Sequence, residues 1–590
     1  MSNDGVALSP RVLLADAALT ADWQNALREI RVELQYQVPA RCTLRFIDAG
    51  YVLSSSGKVS LGTSVSVKAP TDATTMITAE VTSVALEQRA GDQPELVVVA
   101  HDKSHRLGRG TNVKTYVQMM YSDVVSALAQ GCGLTPMVDP TDLTVDYLMQ
   151  ADSDLGLLTE LAHRVGFDWW VADGTLHFQK PVAGTTVTLT LADTLRAFSV
   201  RASGHHPDEV TVDGWDREQQ ELVTATSSAS DAASAVKASS SLADVAAKTE
   251  EAFGSATLLT AGLSAHSSTE ASQLSQAVIN RAIASAVTAH GVAAGNPSLT
   301  LGATAKVADA GPLSGSYPVT RVEHLFRPGS GFLTRFFCGD RRPATLVDTL
   351  SGGTTRAPAT MHPGLSVGKV TNSNDPDNSG RVKVTYPGLS SQDETGWARL
   401  VAIGGGSDRG AVFIPEVGDE VLVAFEGGDP RQPVVIGGLY GKQATMPTTT
   451  VADGKVQQRG MRSRLGHIIN LLDGTEPANE AIEIQLAGGE HTIHLGKDKL
   501  AITVPSGLPV EITAGDSSLK FGDDGALTIT APQITLTADE KIAMSGAQIT
   551  ANADASLSLQ SDGGISLQGD MISLSSDGPL SAEGQPVMIN

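Results

Sequence analysis

The sequence predicts a mainly β protein with minor α content, closing in an intertwined β-helix shared by three chains. Three observations carry this expectation. Aromatic residues make up only 4% of the chain while Gly numbers 59, which suits many turns and slender strands better than a bulky enzyme core. Short runs alternating apolar with polar residues recur along most of the length, the mark of strands with one buried face. The last hundred or so residues repeat a small apolar unit at a spacing of about eight residues.

A chain of 590 residues is too long for one core, so roughly three to five domains are expected. The net charge of −23 argues against nucleic acid or an anionic membrane as a partner. Cys42, Cys132 and Cys338 are widely separated and make no metal or disulfide pattern, so they read as core residues of a protein folded in a reducing cytoplasm. The opening "MSNDGVALSPRVLLADAAL" has an acidic start and no continuous apolar run, so no signal peptide is expected. No window approaches the length of a membrane span.

Residues 1–220 mix strands with a few helices. "ELVVVAHDKSHRLGR" (95–109) reads as a strand running into a turn, and "MMYSDVVSALAQGCGL" (119–134) as a helix with a Gly-rich stop. "SDLGLLTELAHRVGFDWWVADGTLHFQKP" (153–181) predicts an amphipathic helix ending at Gly166, then a strand, an Asp-Gly turn and a second strand. Trp169 and Trp170 belong there to core packing and an interface rather than to a ligand platform. The Ala/Ser-rich segment 224–294 reads as a poorly anchored stretch followed by one docked helix stopping at Gly291. A Gly/Thr/Pro linker, "LSGGTTRAPATMHPG", then closes the first region near residue 360. Residues 361–442 are all strand and turn, about five short strands that suit a small closed barrel. From residue 455 strands continue to the end without a helix signal.

The tail repeat is countable. Apolar pairs two residues apart recur at Ile493/Leu495, Ile502/Val504, Val510/Ile512, Leu519/Phe521, Leu527/Ile529, Ile534/Leu536, Ile542/Met544, Ile549/Ala551, Leu557/Leu559, Ile565/Leu567 and Ile572/Leu574. Two inward side chains per step make too thin a core for one chain, whereas three chains wound as a triangular prism fill the axis and leave no lateral edge. The expected core runs through both members of these pairs from Leu527 to Leu574, except Ala551. The needle would be on the order of 50 Å long. A single-chain β-helix of the carbohydrate-lyase type has much longer coils. Residues 481–590 hold four Lys/Arg against fourteen Asp/Glu, a soluble surface that repels anionic membranes.

The barrel segment carries a resemblance. Gly380-Arg381-Val382, Trp397-Ala398-Arg399, Pro415-Glu416-Val417-Gly418-Asp419-Glu420-Val421, Gly428-Asp429-Pro430 and Pro433-Val434-Val435-Ile436-Gly437 occur in the order and spacing of the oligonucleotide/oligosaccharide-type (OB) barrel of the VgrG (valine-glycine repeat) and phage baseplate spike family. "DLGLLTELAHRVGFDWWVADGTLHF" resembles the tail-hub portion of the same family, and "GHIINLLDG…EAIEIQL" the neck leading into its needle. The implied layout is a tail-hub region of β-barrel domains at 1–360 with 224–294 inserted, an OB barrel at 361–445, a neck at 446–480 and a triple-stranded β-helical needle at 481–590.

The resemblance further implies a homotrimer that caps an inner tube within a baseplate and leads through the target envelope when a sheath contracts. Such a protein is made in the cytoplasm, assembled into a contractile particle, and released or delivered through the target envelope, meeting the target membrane only in passing. It implies a conical, PAAR-like tip protein on the needle end, where Pro586, Val587, Met588, Ile589 and Asn590 are the expected contact, and effector cargo on hub or tip. Type VI secretion, an extracellular injection particle and a phage baseplate all fit. A β-helical adhesin or glycan depolymerase is the competing reading, but it calls for inward carboxylates and surface aromatics along the tail, and Phe521 is the only aromatic after residue 480.

No catalysis and no cofactor are expected. Residues 443–480 are too few for a lysozyme-like insert, and "DGPLSAEGQPVMIN" too short for a fused effector. Asp375, Asp377 and Ser379 have calcium-loop spacing with Gly380 at the sixth position, but Pro376 intrudes and Tyr386 stands where the twelfth position needs Glu, so a hairpin turn is expected. His491 and His494 read as facing opposite sides of a strand, a poor metal pair, and no His-X-His motif of the iron-binding phage spike tips occurs. "GGLYGKQ" lacks the Ser/Thr and spacing of a phosphate loop. Glu160 and His163 read as exposed helix positions.

Overall fold

The computed structural model describes residues 9–589 except 71–73, 218, 261–264, 342–363, 389, 448–450 and 475–478. The protein is mainly β with minor α, in two compact units, Met1–Met446 and Pro447–Asn590.

The first unit is built on a 14-stranded sheet. Its central order is Leu195–Ala202, Val287–Ala294, Gly331–Cys338, Gly315–Arg327, Leu27–Gln35, Arg41–Ile47, Glu95–His101, Thr75–Glu87, Ser64–Lys68 and Arg11–Leu14, each antiparallel to its neighbour. "RCTLRFI" and "ELVVVAH" show why: their inward positions, Cys42, Leu44 and Phe46 on one strand and Leu96, Val98 and Ala100 on the other, are all buried. All three cysteines are buried.

The helix–hairpin reading matches the structure. Ser153 Oγ accepts the Gly156 N–H at 3.1 Å to start the Asp154–Val165 helix, and Gly166 ends it in the left-handed conformation at φ 70°. Asp168–Ala172 and Thr175–Gln179 then pair across the Asp173-Gly174 turn. Trp169 is fully buried, while the half-buried Trp170 stacks on His177 at 4.5 Å and meets Tyr36 edge-on at 5.4 Å.

Segment 224–294 corrects the expectation of a poorly anchored stretch. Glu221–Ser228 and Thr257–Thr260 flank Glu209–Asp216 in a three-stranded sheet, which the Ser268–Ala286 helix covers through Leu274, Val278 and Ile279. The short Ser241–Ala246 helix packs Ala246 into the core of the large sheet, and Val236 is buried too. Small side chains here permit close docking rather than looseness. Gly291 is not a helix stop: the helix ends at Ala286 and passes straight into the Val287–Ala294 strand. A Cβ on Gly291 would lie 2.4 Å from the Phe336 ring, so ring packing across the sheet is what requires glycine there.

The barrel has the strand order Ser390–Glu394, Lys383–Tyr386, Ser366–Asn372, Glu420–Phe425, Pro433–Gly438, Arg399–Leu400. It closes where Val382 and Ala398 exchange two backbone hydrogen bonds of 3.0 and 2.8 Å. Its core contains Val370, Val384, Val421, Val423 and Val435. The same core takes in Tyr147 and Met149 from the antiparallel pair Asn112–Met120 and Thr144–Asp152, far earlier in the chain.

In the second unit Gln458–Arg462, Ile468–Asp473, Glu480–Gln485, Thr492–Gly496 and Leu500–Thr503 form an antiparallel meander, and Val510–Ala514, Ser517–Phe521 and Leu527–Thr530 a second one. Strands were expected to the end of the chain, but among the described residues strand pairing stops at Thr530. A repeat this short gives each later segment no partner within its own chain.

Candidate functional site

Two features of the fold bear on function: an uncovered apolar surface on the second unit, and, within the first, the packing of the barrel against the region that precedes it, called the hub below for its place in the chain.

Register aligns the apolar surface. Ile469, Ile484, Ile493 and Ile502 form one row across the first meander, and Leu471, Ile482, Leu495 and Leu500 a second. In the next meander Ile512, Leu519 and Ile529 align, as do Val510, Phe521 and Leu527. An antiparallel sheet normally packs one such face on a core; here Ile493 keeps 42% of its surface exposed and Leu500 65%. The tail continues the pattern. Leu527, Ile529, Ile534, Leu536, Ile542, Met544, Ile549, Leu557, Leu559, Ile565, Leu567, Ile572 and Leu574 are all exposed in the single chain. Pro586, Val587, Met588 and Ile589 are exposed as well, and Asn590 lies outside the described residues.

The barrel motif residues are mostly turn-makers. Asp375 accepts the N–H groups of Asp377, Ser379 and Arg381 at 3.2, 2.9 and 3.2 Å, and Arg381 Nη2 at 2.7 Å. Arg381 holds the Asp375 carboxyl well below the usual carboxylate range, with Gly380 supplying the left-handed turn at φ 75°. This is a hairpin turn braced by an ion pair. The half-buried Trp397 ring lies beneath Arg381 at 6.0 Å and Lys383 at 5.4 Å. Gly418, at φ 99°, donates its N–H to Val370 O at 2.8 Å, and Asp419 accepts the Glu416 N–H at 2.9 Å. The half-buried Pro415 precedes that turn, and Glu420 opens the strand after it.

Gly428-Asp429-Pro430 behaves differently. Gly428 turns the chain at φ 76°, and Asp429 and Pro430 are buried. Arg431 donates its Nη2 to Asp429 Oδ2 at 2.8 Å and its Nη1 to Glu270 Oε1 at 2.9 Å and Tyr121 Oη at 3.1 Å. Arg164 approaches the same Glu270 oxygen at 3.7 Å and pairs with Glu160 at 3.0 Å. His266 Nε2 faces Asp429 Oδ2 at 3.5 Å. Burial opposes the charge of Asp429, but the Arg431 and Arg164 guanidiniums and the His266 hydrogen bond hold its carboxyl well below its ordinary value.

Sequence reasoning missed this cluster, apart from Asp429 as a motif residue. Glu160 was read as exposed, yet it is buried and pairs with Arg164 one turn on; His163 is half-buried and shares a 2.8 Å hydrogen bond with Gln37. The available signal was the Glu160/Arg164 pair on an otherwise apolar helix face. His491 precedes its strand rather than sitting on it, and His494 pairs with Glu483 at 3.1 Å. Among the described residues no group of three or more His, Cys, Asp or Glu is placed to hold a metal, and no helix is long and apolar enough to cross a membrane.

Comparison with known proteins follows these boundaries. The type VI secretion system/phage-baseplate injector OB domain matches residues 366–440, and the Alg8 N-terminal domain matches residues 28–327, just over half of the chain. The chain belongs to the Alg8 N-terminal-domain family, and its residues 366–440 are similar to the OB domain of type VI secretion and phage-baseplate injectors, the VgrG spike proteins among the curated relatives. Among curated relatives, it is 41% identical over 75 residues to the type VI secretion system spike protein VgrG3 of Vibrio cholerae, covering 12% of the chain and 7% of the relative. It is 35% identical over 92 residues to the spike protein VgrG1a of Pseudomonas aeruginosa, covering 15% of the chain and 14% of the relative. The chain thus spans a small part of the curated relatives it matches. Among solved structures, an E. coli type VI secretion component described as similar to the T4 tail proteins gp27 and gp5 superposes with TM-score 0.44 at 15% identity, over 73% of this chain and 99% of that one. A chain of the Francisella PdpA-VgrG complex does so with TM-score 0.49 at 9% identity, over 85% and 89%.

Proposed function

We propose that this spike-family chain is the hub-and-spike subunit of a contractile injection machine, acting as a homotrimer. Residues 1–360 cap the inner tube and meet baseplate proteins, the barrel joins hub to shaft, and residues 481–590 form the needle that punctures the target envelope. Pro586–Asn590 seat a conical tip protein, and effectors ride on hub or tip. The protein is made in the cytoplasm and leaves it as part of the particle, with no catalysis of its own, no cofactor and no nucleic-acid partner.

The observation that carries this reading is the pair of apolar rows led by Ile469 and Leu471, continued by exposed pairs to Leu574. Three copies turned about one axis cover these rows with each other, and burying a Leu or Ile side chain is worth about 1.5–3 kcal/mol. A prism closed in this way has no strand edge to peel, which suits axial load. Light scattering on the purified full chain is the test: a trimer that resists SDS is expected, and a stable monomer overturns the proposal.

A further inference from the structure

We infer that hub and barrel form one rigid body keyed by Arg431, which acts as a positioning residue fixing the angle of the barrel on the hub. Two contacts carry the argument at this joint, beside a looser Arg217–Glu426 ion pair at 3.9 Å. The first is apolar: Tyr147 and Met149 of the Thr144–Asp152 strand are buried in the barrel's core beside Val384 and Val423. Gly396 permits that approach, since a Cβ on it would lie 3.0 Å from Tyr147 Cβ. The Thr115 hydroxyl adds a 3.1 Å hydrogen bond to Asp393 at the same seam.

Apolar contact is non-directional, so by itself it leaves the barrel free to turn about the inserted strand. The second contact removes that freedom. The Arg431 guanidinium is planar and donates in fixed directions, to Asp429 on its own loop and to Glu270 and Tyr121 on the hub. Glu270 is itself held: its Oε2 accepts the His266 N–H at 3.0 Å, and its N–H is capped by Ser267 Oγ at 3.2 Å. Glu160, Arg164, Glu270, Asp429 and Arg431 are all buried, drawn from two hub helices and one barrel loop. A buried ion cluster adds little net stability over an apolar replacement but penalises every geometry in which its partners separate. That asymmetry makes it an orienting device, and it operates within one chain whatever the number of copies assembled.

The test uses the full chain with a specific protease site inserted between Gly352 and Gly353. After cleavage, the hub fragment and the barrel-bearing fragment of the native sequence are expected to co-migrate in size-exclusion chromatography. Arg431→Leu is expected to speed their separation at least tenfold while each fragment keeps its native circular dichroism, and Arg431→Lys to fall between the two. Glu270→Gln, which preserves shape, serves as the second variant should Arg431→Leu fail to fold, and should also speed separation. Separation of the native fragments at once, or variants that stay joined as long as the native pair, overturns the inference.

Discussion

Arg341 Nε donates to Asp168 Oδ2 at 2.8 Å while the same guanidinium lies 4.7 Å from the centre of the Tyr36 ring. Both charged residues are buried, so the last described residue of the hub is tied to the strand that follows the Asp154–Val165 helix. Arg341→Met leaves the Asp168 carboxylate buried without its counter-charge, and a loss of about 3–5 kcal/mol in urea unfolding is expected. Adding Asp168→Leu should recover part of that loss; a double variant no more stable than Arg341→Met alone would show the pair is not coupled.

Asp375 should make barrel stability sensitive to acid. Its folded carboxyl sits below the unfolded value of about 3.9, so its contribution is complete above that pH and fades as pH falls below it. Asp375→Asn should cost on the order of 1–2 kcal/mol at pH 7 and nothing further at low pH. Thermal unfolding of both proteins between neutral and acid pH makes the comparison.

Asp102 titrates in the opposite sense. Burial pushes its carboxyl up to about 6, against the hydrogen bonds it accepts from Ser104 and Ala40. A group raised in the folded state contributes fully below its unfolded pKa and loses that contribution as pH rises through about 6. Carbon-detected NMR of the side chain should give a midpoint near this value, well separated from exposed aspartates.

Gly291→Ala should destabilise the hub by about 1–3 kcal/mol, because the new methyl overlaps the Phe336 ring and also meets Phe198. Pairing it with Phe336→Leu should restore part of the loss, read as a shift in Tm.

Along the tail, Ile565→Asp places three carboxylates on one axis in the proposed trimer. Loss of SDS resistance is expected, with little change in the thermal transition of the hub. A change at the neighbouring charged position, Asp570→Asn, should leave the assembly intact.

Legibility followed locality. Ser153, Gly166 and Asp173-Gly174 lie beside the elements they start, stop or join, so the helix–hairpin was readable residue by residue. Gly291 was misread because its meaning depends on Phe336, a strand away in space and distant in sequence. Glu160 looked exposed because nothing near it in sequence announces Glu270 or Arg431. Segment 224–294 looked loose because small residues signal weak burial locally, while close packing of Ala246 appears only once the large sheet exists. The barrel was recognisable from its turns, but the sharing of its core with Tyr147 and Met149 was not, since their strand alternates like any other.

The inserted strand also imposes an order of events during synthesis. Tyr147 and Met149 leave the ribosome more than two hundred residues before Val421, Val423 and Val435, which complete the core around them. At the usual elongation rate of about 5–20 residues per second, this apolar face waits ten seconds or more for its cover, roughly speaking. A nascent chain stalled in that interval presents an uncovered apolar face, and completion of the barrel is what covers it.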